Sequence, residues 1–305
     1  MKERLVFLVG PTAIGKTGIS IELAGLINGE IVSCDSMQVY KGMDTGTSKP
    51  DKGLIARIPH HMIDVIEPSD EFSVAQFRRM AVKAIEDIIA RGKAPLAVGG
   101  SGLYVKVLIY GIFEAPSTDR EFRDRLKQEA DEFGAEILYK RLEEIDKEAA
   151  AGIHPNDQRR ILRALEVYEK AKAPISRLKT NTVGLSDKYD IRIFGLNMER
   201  PALYKKIEER VDLMFRGGLV EEAKGLMRQK LSLTASQALG YKEVFAFLRG
   251  EYNIEETKRL IKRNTRHYAK RQLTWFRRDK RIEWIILDED FDPKEIAKEI
   301  WKKLS

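Results

Sequence analysis

Apolar positions along the chain alternate between two patterns. Short continuous runs fall at residues 5–9 (LVFLV), 30–33 (EIVS), 95–99 (PLAVG), 189–196 (YDIRIFGL) and 282–287. They read as strands buried on both faces. A further strand is expected within 61–66, where MIDVI leads into the Pro68-Ser69 turn. Between these runs, residues 16–28 and 72–91 show helical spacing, the second closed by Gly92. Strands alternating with helices predict a parallel sheet with helices on both faces, an α/β fold. From residue 119 to about 179 the texture becomes highly charged and helical, with Gly134, His154-Pro155-Asn156 and Pro174 dividing it into three or four helices. Strand texture then returns, so this block is expected to be inserted into the core. The expected boundaries are 1–117 and 185–305 for the core and 118–184 for an all-helical insertion, with the change of texture at Ala115-Pro116-Ser117-Thr118.

Composition narrows the class. At 305 residues the chain is long enough for a core plus a second lobe, and 43% hydrophobic residues are enough to fill a large core. Cys34 is the only cysteine, which rules out an intramolecular disulfide or a cysteine metal cluster. The opening MKERLVFLVG lacks a signal-peptide pattern, and no segment reaches the ~20 apolar residues of a membrane span. A soluble, cytoplasmic protein is expected, with no membrane partner. No leftover apolar stripe calls for a protein partner, so a monomer is expected.

The sharpest chemical signal follows the first strand. Gly10, Pro11, Thr12, Ala13, Ile14, Gly15, Lys16 and Thr17 spell a glycine-bounded phosphate loop that opens a helix. Its amides and the helix N-terminus make an anion nest, Lys16 adds a point charge, and the Thr17 hydroxyl is the usual Mg2+ ligand. The loop specifies an anion of about diphosphate size and reads no base, although its commonest occupant is ATP. Asp35 and Ser101 fall after two other strands, where ligands of open parallel sheets bind. Asp35 suits the magnesium ligand of a P-loop kinase, or a turn cap. His60-His61 are expected to be structural because no third ligand has suitable spacing, and Cys34 reads as a small strand-end residue.

The net charge of +7 is concentrated. Residues 258–281 (KRLIKRNTRHYAKRQLTWFRRDKR) contain one acid, Asp279, and place Arg266, Lys270, Arg271 and Arg277 on a helix with Tyr268, Trp275 and Phe276 interleaved. The aromatics either anchor the helix or stack on bases. The insertion adds Arg120, Arg123, Arg125, Gln158, Arg159, Arg160 and Arg163. Two basic surfaces suit a folded RNA bound through its phosphates.

GPTAIGKT, DSMQVYKGMDTGTSKP, PHHMID, VGGSGLY, NDQRRILRALEV, ALGYKE and NTRHYAKRQLTWFR occur in this order. Together they resemble the bacterial tRNA dimethylallyltransferases over essentially the whole chain. The resemblance implies a P-loop NTPase-like core and transfer of the dimethylallyl group of dimethylallyl diphosphate, with Mg2+. The acceptor would be the exocyclic N6 of the adenosine 3′ of the anticodon, in tRNAs reading U-initial codons. It implies Asp35 as general base. Lys16, the loop and Ser101 would stabilise the leaving diphosphate. Ser36, Met37 and Gln38 would line the entry beside Asp35, and Arg123 with Gln158, Arg159, Arg160, Ile161 and Leu162 would contact the tRNA anticodon stem-loop. Many members carry threonine where this chain has Ser101. The competing reading is a P-loop small-molecule kinase, which gives the basic helix no task.

Overall fold

The computed structural model describes residues 2–113, 116, 119–178 and 182–304. The expected change of texture at Ala115, Ser117 and Thr118 lies outside the described residues. The chain divides into two compact units, one of residues 1–109 and 185–305, the other of residues 110–184.

The first unit is built on six strands: β1 (Arg4–Val9), β2 (Gly29–Ser33), β3 (His60–His61), β4 (Ala94–Gly99), β5 (Asp190–Met198) and β6 (Ile282–Leu287). All pair in parallel, in the order β3-β2-β4-β1-β5-β6. Residues 5–9 of β1 and all of β2 are buried, as continuous apolar runs require. The β3 expectation was too long. Met62 and Asp64 take left-handed backbone conformations (φ 66° and 54°), which end the strand after His61. The chain touches the sheet region again only as an isolated bridge between Tyr40 and Ile66.

The order places three strand ends side by side. In the registers Val9↔Gly99 and Ser33↔Val98, β1, β4 and β2 finish together at one edge. The phosphate loop, Ser101 and Asp35 therefore emerge as neighbours. Around the sheet, Leu8, Ile19, Leu23, Leu96, Phe194, Leu196, Ile207 and Ile300 form one apolar core. A second cluster, including Val39, Tyr40, Val211, Leu219, Tyr241 and Ile261, packs the helices that follow β5. His61 Nε2 donates to the buried Glu30 carboxylate at 2.7 Å, and His60 meets the Ile58 carbonyl at 2.7 Å. Among the described residues no group of three His, Cys, Asp or Glu is placed to hold a metal.

The second unit is helical: Arg120–Phe133, Glu136–Ile145 and Gln158–Ala171 are its long members, with the short Lys147–Ala151 and Ile175–Leu178. Its core includes Leu126, Leu138, Leu142, Ile161, Leu165 and Val167. Ile161 is fully buried and Leu162 is 8% exposed. These two side chains, expected at a tRNA surface, are instead core packing, because the heptad-like spacing that makes the helix amphipathic turns them inward. Gln158, Arg159 and Arg160 at the helix start are exposed.

Candidate active site

The phosphate loop joins β1 to the Lys16–Leu26 helix. Gly15 caps that helix with a left-handed backbone (φ 93°), and a Cβ there would come within 2.5 Å of the Phe291 ring. Only glycine fits both demands. Lys16 folds back over the loop, donating to the carbonyls of Gly10 (3.0 Å) and Pro11 (2.7 Å). Burial pushes its ammonium down to about 7, the Arg210 cation pushes the same way, and Asp35 pulls back.

Gly10 and Pro11 therefore serve Lys16, while Thr12, Ala13, Ile14, Gly15, Lys16 and Thr17 line a cleft of about 460 Å3. Asp35, Gln38, Thr45, Thr47, Ser48, Arg210, Leu213, Met214 and Gln272 complete its wall. A neighbouring cleft of about 290 Å3 shares Thr12, Asp35, Thr47, Arg210 and Met214, and adds Ser36, Met37, Tyr268 and Arg271. Asp35 thus borders both. Its Oδ1 accepts from the backbone amides of Met37 (2.8 Å) and Gln38 (3.4 Å). Oδ2 has no hydrogen bond among the described residues. The carboxylate is oriented by one oxygen and keeps the other for a ligand.

Ser101, expected to face the leaving group, has partners in the turn that follows Asp35. Its hydroxyl accepts from the Ser36 amide (3.1 Å) and donates to the Ser36 hydroxyl (3.3 Å). It also meets Tyr268, whose phenol is pushed up to about 12 by burial and by the charge of Asp35. Ser101 is not among the residues lining the two clefts. The hydroxyl holds the turn that carries Asp35. Gln38 is likewise committed: it accepts from the Ser33 hydroxyl (3.1 Å) and donates to the carbonyls of Thr47 (3.3 Å) and Ser48 (3.4 Å). Its amide fixes a loop.

Arg210 has no motif and was missed in the sequence. It sits in the Arg200–Arg216 helix after β5, one turn beyond the buried Ile207. Its Nη1 donates to the Thr12 hydroxyl (2.9 Å), while its buried Nε has no partner. A half-buried guanidinium whose buried Nε is unused, beside a phosphate loop, is arranged for an anion. Gln272 was also unforeseen. It accepts from the Thr12 amide (2.8 Å) and donates to the Gly100 carbonyl (2.9 Å), tying the basic helix to the phosphate loop. Its signal was its place in YAKRQLTWFR.

That helix, Ile254–Phe276, is less cationic than its sequence suggests. Acids of the Arg200–Arg216 helix and of its own first turn balance its first half: Lys262 pairs with Asp212 (2.8 Å) and Arg266 with Glu208 (2.5 Å), while Lys258 pairs with Glu255 and Arg259 with Glu256. Lys270, Arg271 and Arg277 are exposed, without an ion pair among the described residues; Arg271 lies over the Tyr268 ring at 5.8 Å. In the helical unit, Arg123 is held by the buried Glu166 (2.7–2.9 Å), which also pairs with Arg163 and accepts from the Asp119 amide.

For magnesium, Thr17, Ser20, Ser33 and Asp35 line a small cleft of about 50 Å3 beside Lys16. Hard oxygen donors in small number fit an ion that keeps waters and is completed by substrate phosphates.

A parallel sheet whose strand ends carry an anion loop and an oriented carboxylate, with a helix-borne arginine beside them, suits a group transferase acting on a phosphorylated donor. The comparisons specify which. Residues 38–279 match the family model described as IPP transferase, and residues 3–61 that of isopentenyl transferase. The chain is 46% identical to a tRNA dimethylallyltransferase of Geotalea uraniireducens, over 95% of this chain and 94% of that protein. The crystal structure of the tRNA isopentenylpyrophosphate transferase of Bacillus halodurans superposes with a TM-score of 0.72 at 43% identity, over 99% and 97% of the two chains. A eukaryotic dimethylallyltransferase acting on tRNA superposes at 0.80 and 29% identity, over 93% of this chain and 74% of that one. The chain belongs to the IPP transferase family of tRNA dimethylallyltransferases. It is a prenyl-transferring enzyme, and not a kinase.

Proposed function

We propose that the protein moves the dimethylallyl group of dimethylallyl diphosphate to N6 of the adenosine following the anticodon, in tRNAs reading U-initial codons. The observation that carries this reading is Asp35, oriented through Oδ1 with Oδ2 unpaired, at the junction of the two clefts. The diphosphate would occupy the phosphate-loop cleft and the adenine would enter past Ser36 and Met37, after leaving the anticodon stack.

The N6–C1 bond forms as the C1–O bond to diphosphate breaks, and the N6 proton passes to Asp35 Oδ2. Removing that proton helps a nitrogen whose lone pair is delocalised into the ring. Lys16, Arg210 and the loop amides oppose the charge that develops on the leaving oxygens. Magnesium, held by Thr17 with Ser33 and Asp35 nearby, would neutralise the same oxygens when bound. Apolar Leu213 and Met214 offer the allyl group a wall. Lys270, Arg271, Arg277, Arg159, Arg160 and Arg123 would meet tRNA phosphates, with Gln158 beside them. A tRNA substrate supports a cytoplasmic reaction. Among the described residues no helix is long and apolar enough to cross a membrane.

Incubation with unmodified tRNA, magnesium and labelled dimethylallyl diphosphate tests the reading, with Asp35→Ala alongside. Label should pass to tRNA and fall at least about a hundredfold in the variant. ATP turnover without transfer would sink it.

A further inference from the structure

The ALGYKE segment and the Leu219–Leu226 helix have no part in the chemistry above, yet they grip one wall of the site. Loop 44–50 supplies Thr45, Thr47 and Ser48 to the phosphate cleft and Gly46 and Thr47 to its neighbour. What fixes that loop is a carboxylate and a phenol from elsewhere in the chain. Glu222, on the Leu219–Leu226 helix, accepts the Thr45 amide through both oxygens (2.9 and 3.1 Å) and the Gly46 amide at 3.4 Å. Tyr241, fully buried, also accepts the Gly46 amide (3.2 Å) and donates its proton to Glu222. A Cβ on Gly46 would lie 2.4 Å from the Tyr241 ring, so the loop backbone is pressed flat against it. Glu243 of the same segment secures the start of the Tyr-bearing helix, accepting the Gly240 amide and the Asn264 side-chain amide, both at 2.8 Å.

The loop in turn determines where Gln38 sits, because its Thr47 and Ser48 carbonyls receive the Gln38 amide. Gln38 is the residue whose backbone N–H, with that of Met37, orients Asp35. A continuous chain of hydrogen bonds therefore runs from Tyr241 and Glu222 through the loop and Gln38 to the carboxylate.

We propose that Glu222 and Tyr241 are positioning residues for the transfer reaction: they clamp loop 44–50 and, through Gln38, set the direction of Asp35. Neither touches the reacting atoms. Displacing a reacting group by a fraction of an ångström slows chemistry more than it weakens binding. The role rests on the reading of Asp35 as the base, and its test separates the two.

Tyr241→Phe removes one hydroxyl and leaves the ring in place. Hydrogen exchange of the Thr45 and Gly46 amides, read without any substrate, should speed up about tenfold in this variant and further in Glu222→Gln. Single-turnover transfer should fall about tenfold, while the dissociation constants for tRNA and inorganic pyrophosphate stay within about twofold. In a Gln38→Ala background, adding Tyr241→Phe should cost little more, because both changes break one chain. The proposal is overturned by unchanged exchange of the two amides. It is equally overturned by a transfer rate within twofold of the parent, by a rate loss matched by lost pyrophosphate affinity or lost folded protein, or by full additivity with Gln38→Ala. A parent enzyme that labels no tRNA would instead sink the functional reading, with the exchange result still reporting on the clamp.

Discussion

The core and the helical lobe both use buried charge, in opposite ways. In the lobe, Glu166 is fully buried and saturated: Arg123, Arg163 and the Asp119 amide occupy its oxygens, and desolvation is outweighed so that its carboxyl stays below the usual range. In the core, Arg210 and Lys16 are half-buried with their charges desolvated, and Arg210 is under-satisfied. Both are pushed down by burial, the Arg210 cation lowers Lys16 further, and Arg210 keeps an unpaired Nε. A saturated buried charge organises structure. An unsaturated one stores electrostatic work that a ligand can release, which is the signature of a preorganised anion site.

The sharpest way to break this contrast is Arg210→Ala. It should lower single-turnover transfer about 10²–10³-fold with tRNA affinity retained, and Arg210→Lys should not rescue it, since the forked donor is lost. Full activity in Arg210→Ala would make the core arginine structural, like Arg163 of the lobe. Glu166→Ala should do the reverse. Stranding two arginines should lower the unfolding free energy associated with the lobe by about 3–5 kcal/mol, seen as an earlier transition on heating. Pyrophosphate binding should be unchanged; an unaltered melt would show that the carboxylate is dispensable.

A third test concerns Lys16. Its pKa of about 7 in the free enzyme should rise when a diphosphate arrives. Binding then takes up a proton above pH 7, and affinity falls as pH rises, by up to about tenfold per unit until the pKa of the complex is passed. The stability sign is separate: the folded state holds this proton less tightly than the unfolded one, so its burial cost is full below pH 7 and shrinks as pH rises towards the ordinary lysine value. Calorimetry in buffers of different ionisation heats, with Lys16→Met as reference, reads the proton count; equal counts in both proteins would refute the assignment. The smallest effect is expected for Arg159→Ala and Arg160→Ala, exposed at the start of the Gln158–Ala171 helix. Each should weaken tRNA binding a few-fold and reduce the salt slope by about one, with pyrophosphate binding untouched.

Local pattern carried much of the fold. The apolar runs of β1, β2, β4, β5 and β6 predict buried parallel strands, and the glycine spacing before Lys16 predicts an anion loop, because both depend on residues close together in sequence. The same spacing failed at 61–66, where two left-handed residues interrupt a run that composition alone reads as continuous. It also failed in the helical unit, where Ile161 and Leu162 belong to a motif but face inward. The basic run 258–281 was judged by its own single acid, whereas Glu208 and Asp212 balance it from a helix some fifty residues away in sequence.

The sequence by itself determined the strands, the phosphate loop, the placement of Asp35 after a strand, and the family. Only the tertiary structure decided that Ser101 and Gln38 are committed to holding the Asp35 turn, that Arg210 joins the phosphate loop, and that Glu222 and Tyr241 grip loop 44–50. The reason is range. Periodicity and motif spacing report on neighbours along the chain, while a buried guanidinium or carboxylate acquires its meaning from groups up to two hundred residues distant, brought to one edge by the order of the strands.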